Sequence, residues 1–184
     1  MSYIYNNWNQ VIQKTDAKGI VPTYTYDFRG NVTEETIGDV TTKYEYDVDG
    51  NMIKLTDSKN QVTIYAYNDL NQLIKQTYPD ATFRTFEYDL SGNLIKKTDV
   101  NGTVVNNTYD SLNRITRRDI TPATGVEWVT FETYEYDSFG RLIGANDSQS
   151  NALSFNYDSL GRLISETNSD NTVNYSYDNL NRLT

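Results

Sequence analysis

The chain has 184 residues, 16 basic and 25 acidic side chains and a formal net charge of −9, and it contains no histidine and no cysteine. It lacks the basic surface that nucleic-acid binding needs and the long apolar run that a membrane span needs, so neither nucleic acid nor membrane insertion is expected. The missing histidine and cysteine exclude a histidine general base, a thiolate nucleophile, disulfides and a Cys/His zinc site.

The tyrosines mark an internal repeat that covers the whole chain. A motif Tyr-[Asp/Asn]-x-x-[Gly/Asn]-[Asn/Gln/Arg]-apolar recurs at spacings of 21, 20, 21, 21, 21, 27, 21 and 20 residues. The tyrosines that begin the motif, here named anchor tyrosines, are Tyr5, Tyr26, Tyr46, Tyr67, Tyr88, Tyr109, Tyr136, Tyr157 and Tyr177. A fixed period of this length is the signature of a repeat architecture, so residues 1–184 are predicted to form a single repeat array.

The first element of each repeat is predicted to be a strand that ends at the anchor tyrosine. A second aromatic residue stands two positions before the anchor in eight of the nine copies, and the residues between them are mostly polar. This period-2 alternation is typical of a strand and places both rings on one face. Packed aromatic ladders stabilise sheets, so Tyr65, Tyr67, Tyr134 and Tyr136 are expected to be largely buried.

A turn is predicted directly after each anchor tyrosine. Its first residue is Asp or Asn, whose side chain can bind a backbone N–H two residues on, and its fourth is Gly or Asn, which tolerate a positive φ. We therefore assign the motif positions a structural role. They are Tyr26, Asp27, Gly30, Tyr46, Asp47, Gly50, Tyr67, Asn71, Tyr88, Asp89, Gly92, Tyr109, Asp110, Tyr136, Asp137, Gly140, Tyr157, Asp158, Gly161, Tyr177 and Asp178.

A second strand and a second turn complete the repeat. Residues 51–56 (NMIKLT) illustrate the strand, and residues 57–60 (DSKN) illustrate the turn. Two strands of about six residues with two short turns account for the period, so each repeat is predicted to be a β-hairpin. The predicted fold class is all-β, an antiparallel meander of repeated hairpins that forms a strongly curled or spiralling sheet, because open twisted sheets rarely exceed about 10 strands without curling.

One repeat is longer than the others. The spacing from Tyr109 to Tyr136 is 27 residues, which indicates an insertion around residues 119–128. Two interpretations stay open. The insertion is either a lengthened hairpin loop or a ligand-binding loop with Trp128 as an aromatic platform.

No catalytic or metal site is predicted. The repeated Asp after Tyr could suggest a calcium ladder, but the Gly-Gly-x-Gly-x-Asp pattern of calcium-binding repeats is absent. Carboxylate pairs such as Glu34 with Glu35 lack a context that would raise one pKa and lower the other, as acid–base catalysis requires. We therefore expect no enzyme activity, no cofactor and no bound metal.

Residues 136–142 (YDSFGRL) and 157–163 (YDSLGRL) carry a family resemblance. They resemble the Tyr-Asp-x-x-Gly-Arg-Leu core of the RHS or YD repeat, and the match covers essentially the whole chain. The resemblance implies very large secreted or surface proteins: bacterial RHS polymorphic toxins, the B/C cocoon of insecticidal toxin complexes, wall-associated proteins and teneurins. In these relatives the hairpin strip spirals into a hollow shell, which in bacterial members encloses a C-terminal toxin.

The resemblance implies a non-catalytic structural scaffold, a segment of such a shell, located outside the cell or at its surface. The implied partners are the remaining repeats of a larger protein and an encapsulated toxin domain. The Asp-Pro core and the toxin segment of complete bacterial members are absent, so the chain is expected to be part of a longer array or a repeat array built to stand alone. Self-association through the open sheet edges is also expected. The alternative function is a carbohydrate- or protein-binding adhesion module that uses exposed Tyr and Trp rows.

Overall fold

The computed structural model describes residues 2–125 and 130–184, and every regular element in this part of the chain is a β-strand. The all-β prediction is therefore confirmed. No helix among these residues could cross a membrane. Trp128, the residue proposed as an aromatic platform, lies outside the described residues.

The chain divides into two compact units. Unit 1 is Met1–Thr85 and unit 2 is Phe86–Thr184. The strands of unit 1 are β1 (Ser2–Tyr5), β2 (Val11–Thr15), β3 (Pro22–Tyr26), β4 (Val32–Ile37), β5 (Val40–Tyr46), β6 (Met52–Thr56), β7 (Val62–Tyr67), β8 (Leu73–Thr77) and the first half of β9 (Phe83–Tyr88). Each strand pairs with the next in antiparallel fashion.

Unit 2 continues the same pattern from the second half of β9. Its further strands are β10 (Leu94–Thr98), β11 (Val104–Tyr109), β12 (Ile115–Thr121), β13 (Phe131–Tyr136), β14 (Leu142–Asp147), β15 (Ala152–Tyr157), β16 (Leu163–Thr167) and β17 (Thr172–Asn174). The 17 strands form one antiparallel meander sheet. The pairings of the described residues join β1 to β2 and β17 to β16, and the sheet is not closed.

The first turn of every repeat has the backbone conformation that its sequence requires. The fourth residue of the turn has φ between 60° and 94° in all nine copies, which confirms the predicted left-handed conformation. These residues are Asn9, Gly30, Gly50, Asn71, Gly92, Asn113, Gly140, Gly161 and Asn181.

A β-bulge lies beside the anchor tyrosines. In the hairpin of β7 and β8, Ala66 pairs with Lys75 while Tyr67 pairs with Leu73, so the second strand carries one extra residue. The same shift occurs in the hairpins that begin with β1, β3, β5, β11, β13 and β15. A bulge increases local strand twist, and here it recurs with the period of the sequence.

The tyrosine face is only partly covered. Tyr65, Tyr67, Tyr134 and Tyr136 are half-buried, and no hydrophobic side chain among the described residues is fully buried. The four rings are therefore covered in large part, as expected, but not completely. A single sheet layer covers a ring only with its neighbours on the same face, whereas full burial needs a second layer.

Candidate functional site

At least seven of the nine anchor tyrosines contact the preceding hairpin through their hydroxyls. The Tyr67 hydroxyl donates a hydrogen bond to the backbone carbonyl of Met52 at 3.0 Å, and Tyr46 does the same to Val32 at 2.9 Å. In every case the acceptor is the first residue of the second strand of the previous hairpin. The tyrosines that make this contact are Tyr26, Tyr46, Tyr67, Tyr109, Tyr136, Tyr157 and Tyr177. We name this series the tyrosine ladder.

Two of the ladder hydroxyls, those of Tyr46 and Tyr67, are held in their protonated form. Burial raises the pKa of Tyr67 above its usual value, and it raises the pKa of Tyr46 with a further contribution from the nearby Asp27 carboxylate. A hydroxyl with a pKa above about 10 is neutral at physiological pH and remains a donor. These two hydroxyls therefore remain hydrogen-bond donors across the physiological pH range.

The Asp after the anchor closes the first turn with its side chain. In the second repeat, Asp27 Oδ1 accepts hydrogen bonds from the backbone N–H groups of Arg29 and Asn31, both at 2.9 Å. Its Oδ2 accepts a third bond from the Asn31 side-chain amide, also at 2.9 Å. The predicted contact two residues on is thus present, and a contact to the fifth residue of the turn accompanies it.

The first and fifth residues of the turn are matched in chemistry, and we name each such pair a turn clasp. The Asn–Gln clasps are 6/10 and 68/72, the Asp–Asn clasps are 27/31, 47/51 and 89/93, and the Asp–Arg clasps are 110/114, 137/141, 158/162 and 178/182. Sequence reasoning noted both positions but missed the pairing. The signal was available, because arginine and asparagine follow only Asp and glutamine follows only Asn in these clasps.

In unit 2, three of the four clasp arginines also contact the next repeat. The Arg114 guanidinium lies 4.5 Å from the ring centroid of Tyr136 and 2.6 Å from the Asp110 carboxylate. The same cation–π contact joins Arg141 to Tyr157 and Arg162 to Tyr177. Each arginine thus connects the Asp of its own turn to the anchor ring that follows.

The clasps stabilise the charged form of their carboxylates. The side-chain hydrogen bond from Arg114 lowers the pKa of Asp110, and the side-chain amide of Asn31 does the same for the pKa of Asp27, in both cases against an opposing effect of desolvation. These carboxylates form hydrogen bonds within the turn, and their pKa values are lowered, whereas a general acid needs a raised pKa.

One large apolar side chain projects from the tip of every first turn. Each is between 68% and 104% exposed. Unit 1 presents Trp8, Phe28, Val48 and Leu70, and unit 2 presents Leu90, Leu112, Phe139, Leu160 and Leu180. We name these side chains the tip row of each unit. Sequence reasoning did not single them out, although an apolar residue at the second or third position of every turn was the available signal.

A shallow pocket lies beside the first two tips of unit 1. Its lining residues are Trp8, Gln10, Asp27, Phe28, Arg29 and Gly30. The Arg29 guanidinium lies 5.3 Å from the centroid of the Phe28 ring. Exposed aromatic rings beside amide, carboxylate and guanidinium groups are the chemistry that sugar-binding surfaces use.

The acidic residues weighed for acid–base chemistry are engaged elsewhere. Glu34 faces Lys43 at 3.7 Å, and Glu35 accepts a hydrogen bond from the Tyr44 hydroxyl at 3.4 Å. In the described ranges, no three His, Cys, Asp or Glu side chains are grouped so as to hold a metal ion.

Known proteins share this repeat. The sequence profile of the Teneurin YD-shell family matches residues 1–82 and 55–184. The solved TcdB2-TccC3 structure is 19% identical and has a TM-score of 0.79, over 96% of this chain and 12% of that one. The Tc holotoxin pore of Photorhabdus luminescens, with a variant TccC3, is 18% identical with a TM-score of 0.78, over 96% of this chain and 11% of that one.

These similarities cover a small part of the matched proteins and concern the fold. The chain spans about an eighth of the length of the TcdB2-TccC3 chain, 12%, and at this level of identity the likeness shows the fold alone. None of the curated proteins compared with the chain matches it.

Proposed function

Because this chain belongs to the Teneurin YD-shell family, we propose that it is a non-catalytic structural scaffold, a strip of hairpins that forms part of a shell wall. The observation that carries this proposal is the tyrosine ladder. In the described part of each unit the sheet is a single layer, so its repeats need further contacts with one another. The ladder supplies one from each of its seven hydroxyls to the previous hairpin, as with Tyr157 and Leu142 at 2.9 Å.

The motif residues have distinct roles in this scaffold. The anchor tyrosine joins neighbouring repeats, the Asp or Asn after it closes the turn, and the Gly or Asn at the fourth position permits the left-handed backbone. In such nearest-neighbour architectures, stability is approximately a sum of repeat and interface contributions. Residues 1–184 then act as a single repeat array with no catalytic centre.

We further propose that the strip is one segment of a longer extracellular or cell-surface shell, with more repeats and an enclosed toxin domain as its partners. Two observations support this step. The structures that share the fold are chains of toxin complexes, of which this chain spans 12% or less. The tyrosine face is half-covered in each unit, which leaves room for an enclosed segment or a further wall to lie against it.

The test is limited proteolysis of the whole gene product, with fragments followed by mass spectrometry. A scaffold predicts that residues 1–184 persist as a resistant block, and encapsulation predicts that an enclosed segment persists as well. Rapid cleavage within the strands would contradict the scaffold. A resistant block with a quickly digested remainder would retain the scaffold and contradict encapsulation.

A second candidate function is carbohydrate binding, favoured by the pocket beside Trp8 and Phe28. The anchor tyrosines themselves are half-buried and their hydroxyls are engaged, so a binding surface would use the exposed tips instead. A glycan array with the full chain tests it. Binding that is lost in Trp8→Ala and kept in the control Phe139→Ala would support a sugar site in unit 1, and an array with no bound glycan would contradict it.

A further inference from the structure

The tip row of unit 2 is an apolar surface without a partner. Leu90 is fully exposed and Phe139 is 83% exposed, and the row repeats once per hairpin. Two strands separate successive tips, so the side chains stand about 9.6 Å apart along the edge of the unit, given a strand spacing of about 4.8 Å. Large exposed apolar surfaces mark interaction sites, and five such side chains along one edge together expose roughly 500 Å².

The charges around this row are balanced within the row itself. The five first turns of unit 2 contain five aspartates and four arginines, a net charge of −1, although the whole chain carries −9. The four arginines are clasped to their own aspartates, as with Arg162 and Asp158 at 2.6 Å. A second surface of the same kind can therefore approach without strong repulsion.

We propose that the tip row of unit 2 is a homodimer interface, in which the rows of two copies of this chain interdigitate about a two-fold axis. The spacing of the tips fits the tip row of a second copy. A row with the same spacing of about 9.6 Å places each tip in the gap between two tips of the other row. A two-fold contact uses one patch twice and needs only self-complementarity, which an apolar row with balanced charge has.

The buried area is sufficient for a specific contact. Five tips from each of two copies bring roughly 1,000 Å² together, at about 100 Å² of apolar surface for each side chain. Specific interfaces begin at about that size. This interface differs from pairing of the open strands β1 and β17, since it uses side chains at the turns and leaves the edge hydrogen-bonding groups unused.

The test is sedimentation velocity of the full chain over a concentration series. The double variant Leu112→Ser with Leu160→Ser should weaken dimerisation at least tenfold, and because these side chains stand in solvent, circular dichroism should show an unchanged fold. The matched control is Val100→Ser, which removes a 46% exposed apolar residue from the opposite edge of unit 2. Asn174→Pro, which removes an outward-facing backbone N–H of edge strand β17, should leave the dimer intact.

A second measurement locates the contact directly. The chain has no cysteine, so Phe139→Cys offers a single labelling site at the third of the five tips, beside the two-fold axis, and spin labels there should lie close together across the dimer. A wild-type chain that is monomeric up to about 100 µM would overturn the proposal, because a specific interface binds more tightly than that. A dimer that is lost in Asn174→Pro but kept in the tip variant would also overturn it, in favour of strand-edge pairing.

Discussion

The hydroxyl of Tyr136 donates a hydrogen bond to the backbone carbonyl of Ile115 at 2.9 Å, across 21 residues of sequence. The equivalent contacts elsewhere in the chain span 14 or 15 residues, as with Tyr46 and Val32 or Tyr67 and Met52. The longer repeat therefore makes the same tyrosine hydroxyl contact as the other repeats. Its additional residues lie between β12 and β13, after Ile115, at the end of the hairpin away from the anchor turn.

This position favours the interpretation of the insertion as a lengthened hairpin loop. β12 and β13 pair in the usual way, with Arg117 opposite Thr133 and Asp119 opposite Phe131. An added loop at the second turn changes neither the register nor the ladder. Insertions are tolerated at such turns because little backbone hydrogen bonding is lost.

The ladder predicts that the hydroxyl of an anchor tyrosine stabilises the fold separately from its ring. Tyr67→Phe keeps the ring and removes the bond to Met52, so it should lower the free energy of unfolding by about 0.5–1.5 kcal/mol. Urea unfolding measures the change. The control is Tyr65→Phe, since the Tyr65 hydroxyl has no hydrogen-bond partner among residues 2–125 and 130–184. Equal losses in both variants would contradict the ladder.

The arginine clasps predict a difference between two arginines at the same motif position. Arg162 bonds Asp158 and stacks on Tyr177, whereas Arg182 bonds Asp178 and its side chain is 74% exposed. Lysine cannot reproduce the two-pronged bond or the planar stacking, so Arg162→Lys should cost about 0.5–1.5 kcal/mol. Arg182→Lys should change the urea midpoint little. A larger loss of stability in Arg182→Lys than in Arg162→Lys would show that stacking on the next anchor ring contributes nothing.

Much of the fold was predictable because its determinants are local. Two segments in which polar and apolar residues alternate, each followed by turn-forming residues, define a hairpin. The Gly or Asn at a fixed position of the first turn specifies a positive φ. The extent of tyrosine burial was not predictable in this way, because it depends on whether a second layer covers the face. The contact from Tyr67 to Met52 was also missed, because it follows only from the strand register with its bulge. The Asp110–Arg114 clasp is different, since comparison of the nine turns alone would have found it.

The turn geometry predicts a graded effect of substitution at Gly50. This residue has φ of +89°, and a Cβ added there would meet no other atom, so only backbone strain opposes a side chain. Gly50→Ala should therefore cost about 1–2 kcal/mol, the usual penalty of a left-handed L-residue. Gly50→Asn should recover part of the loss, because Asn71 holds the same position with φ of 60°. If Gly50→Ala and Gly50→Asn lower the free energy of unfolding equally, as measured with urea, the loss does not come from the left-handed backbone conformation.

The turn clasps predict a loss of stability in acid. The clasp lowers the pKa of Asp47, with the side-chain amide of Asn51 as the main cause, and the pKa of Asp89 is lowered in the same way by Asn93. A carboxyl whose pKa is lower in the folded state than in the unfolded state binds fewer protons when folded, so stability rises with pH through that range. The contribution is fully present above the ordinary carboxyl pKa of about 4 and is lost as the pH falls through the lowered values.

The measurement is the urea midpoint from about pH 7 down to about pH 2, which brackets the carboxyl titration. The matched variant changes Asp47→Asn with Asn51→Gln and Asp89→Asn with Asn93→Gln, which installs the uncharged clasp that Asn68 and Gln72 form at 2.8 Å. It should fold at neutral pH and lose less stability in acid than the wild type, because two titrating clasps are gone. A wild-type midpoint that stays constant below about pH 4, or an equal acid loss in the variant, would show that the clasps do not prefer the ionised carboxylate.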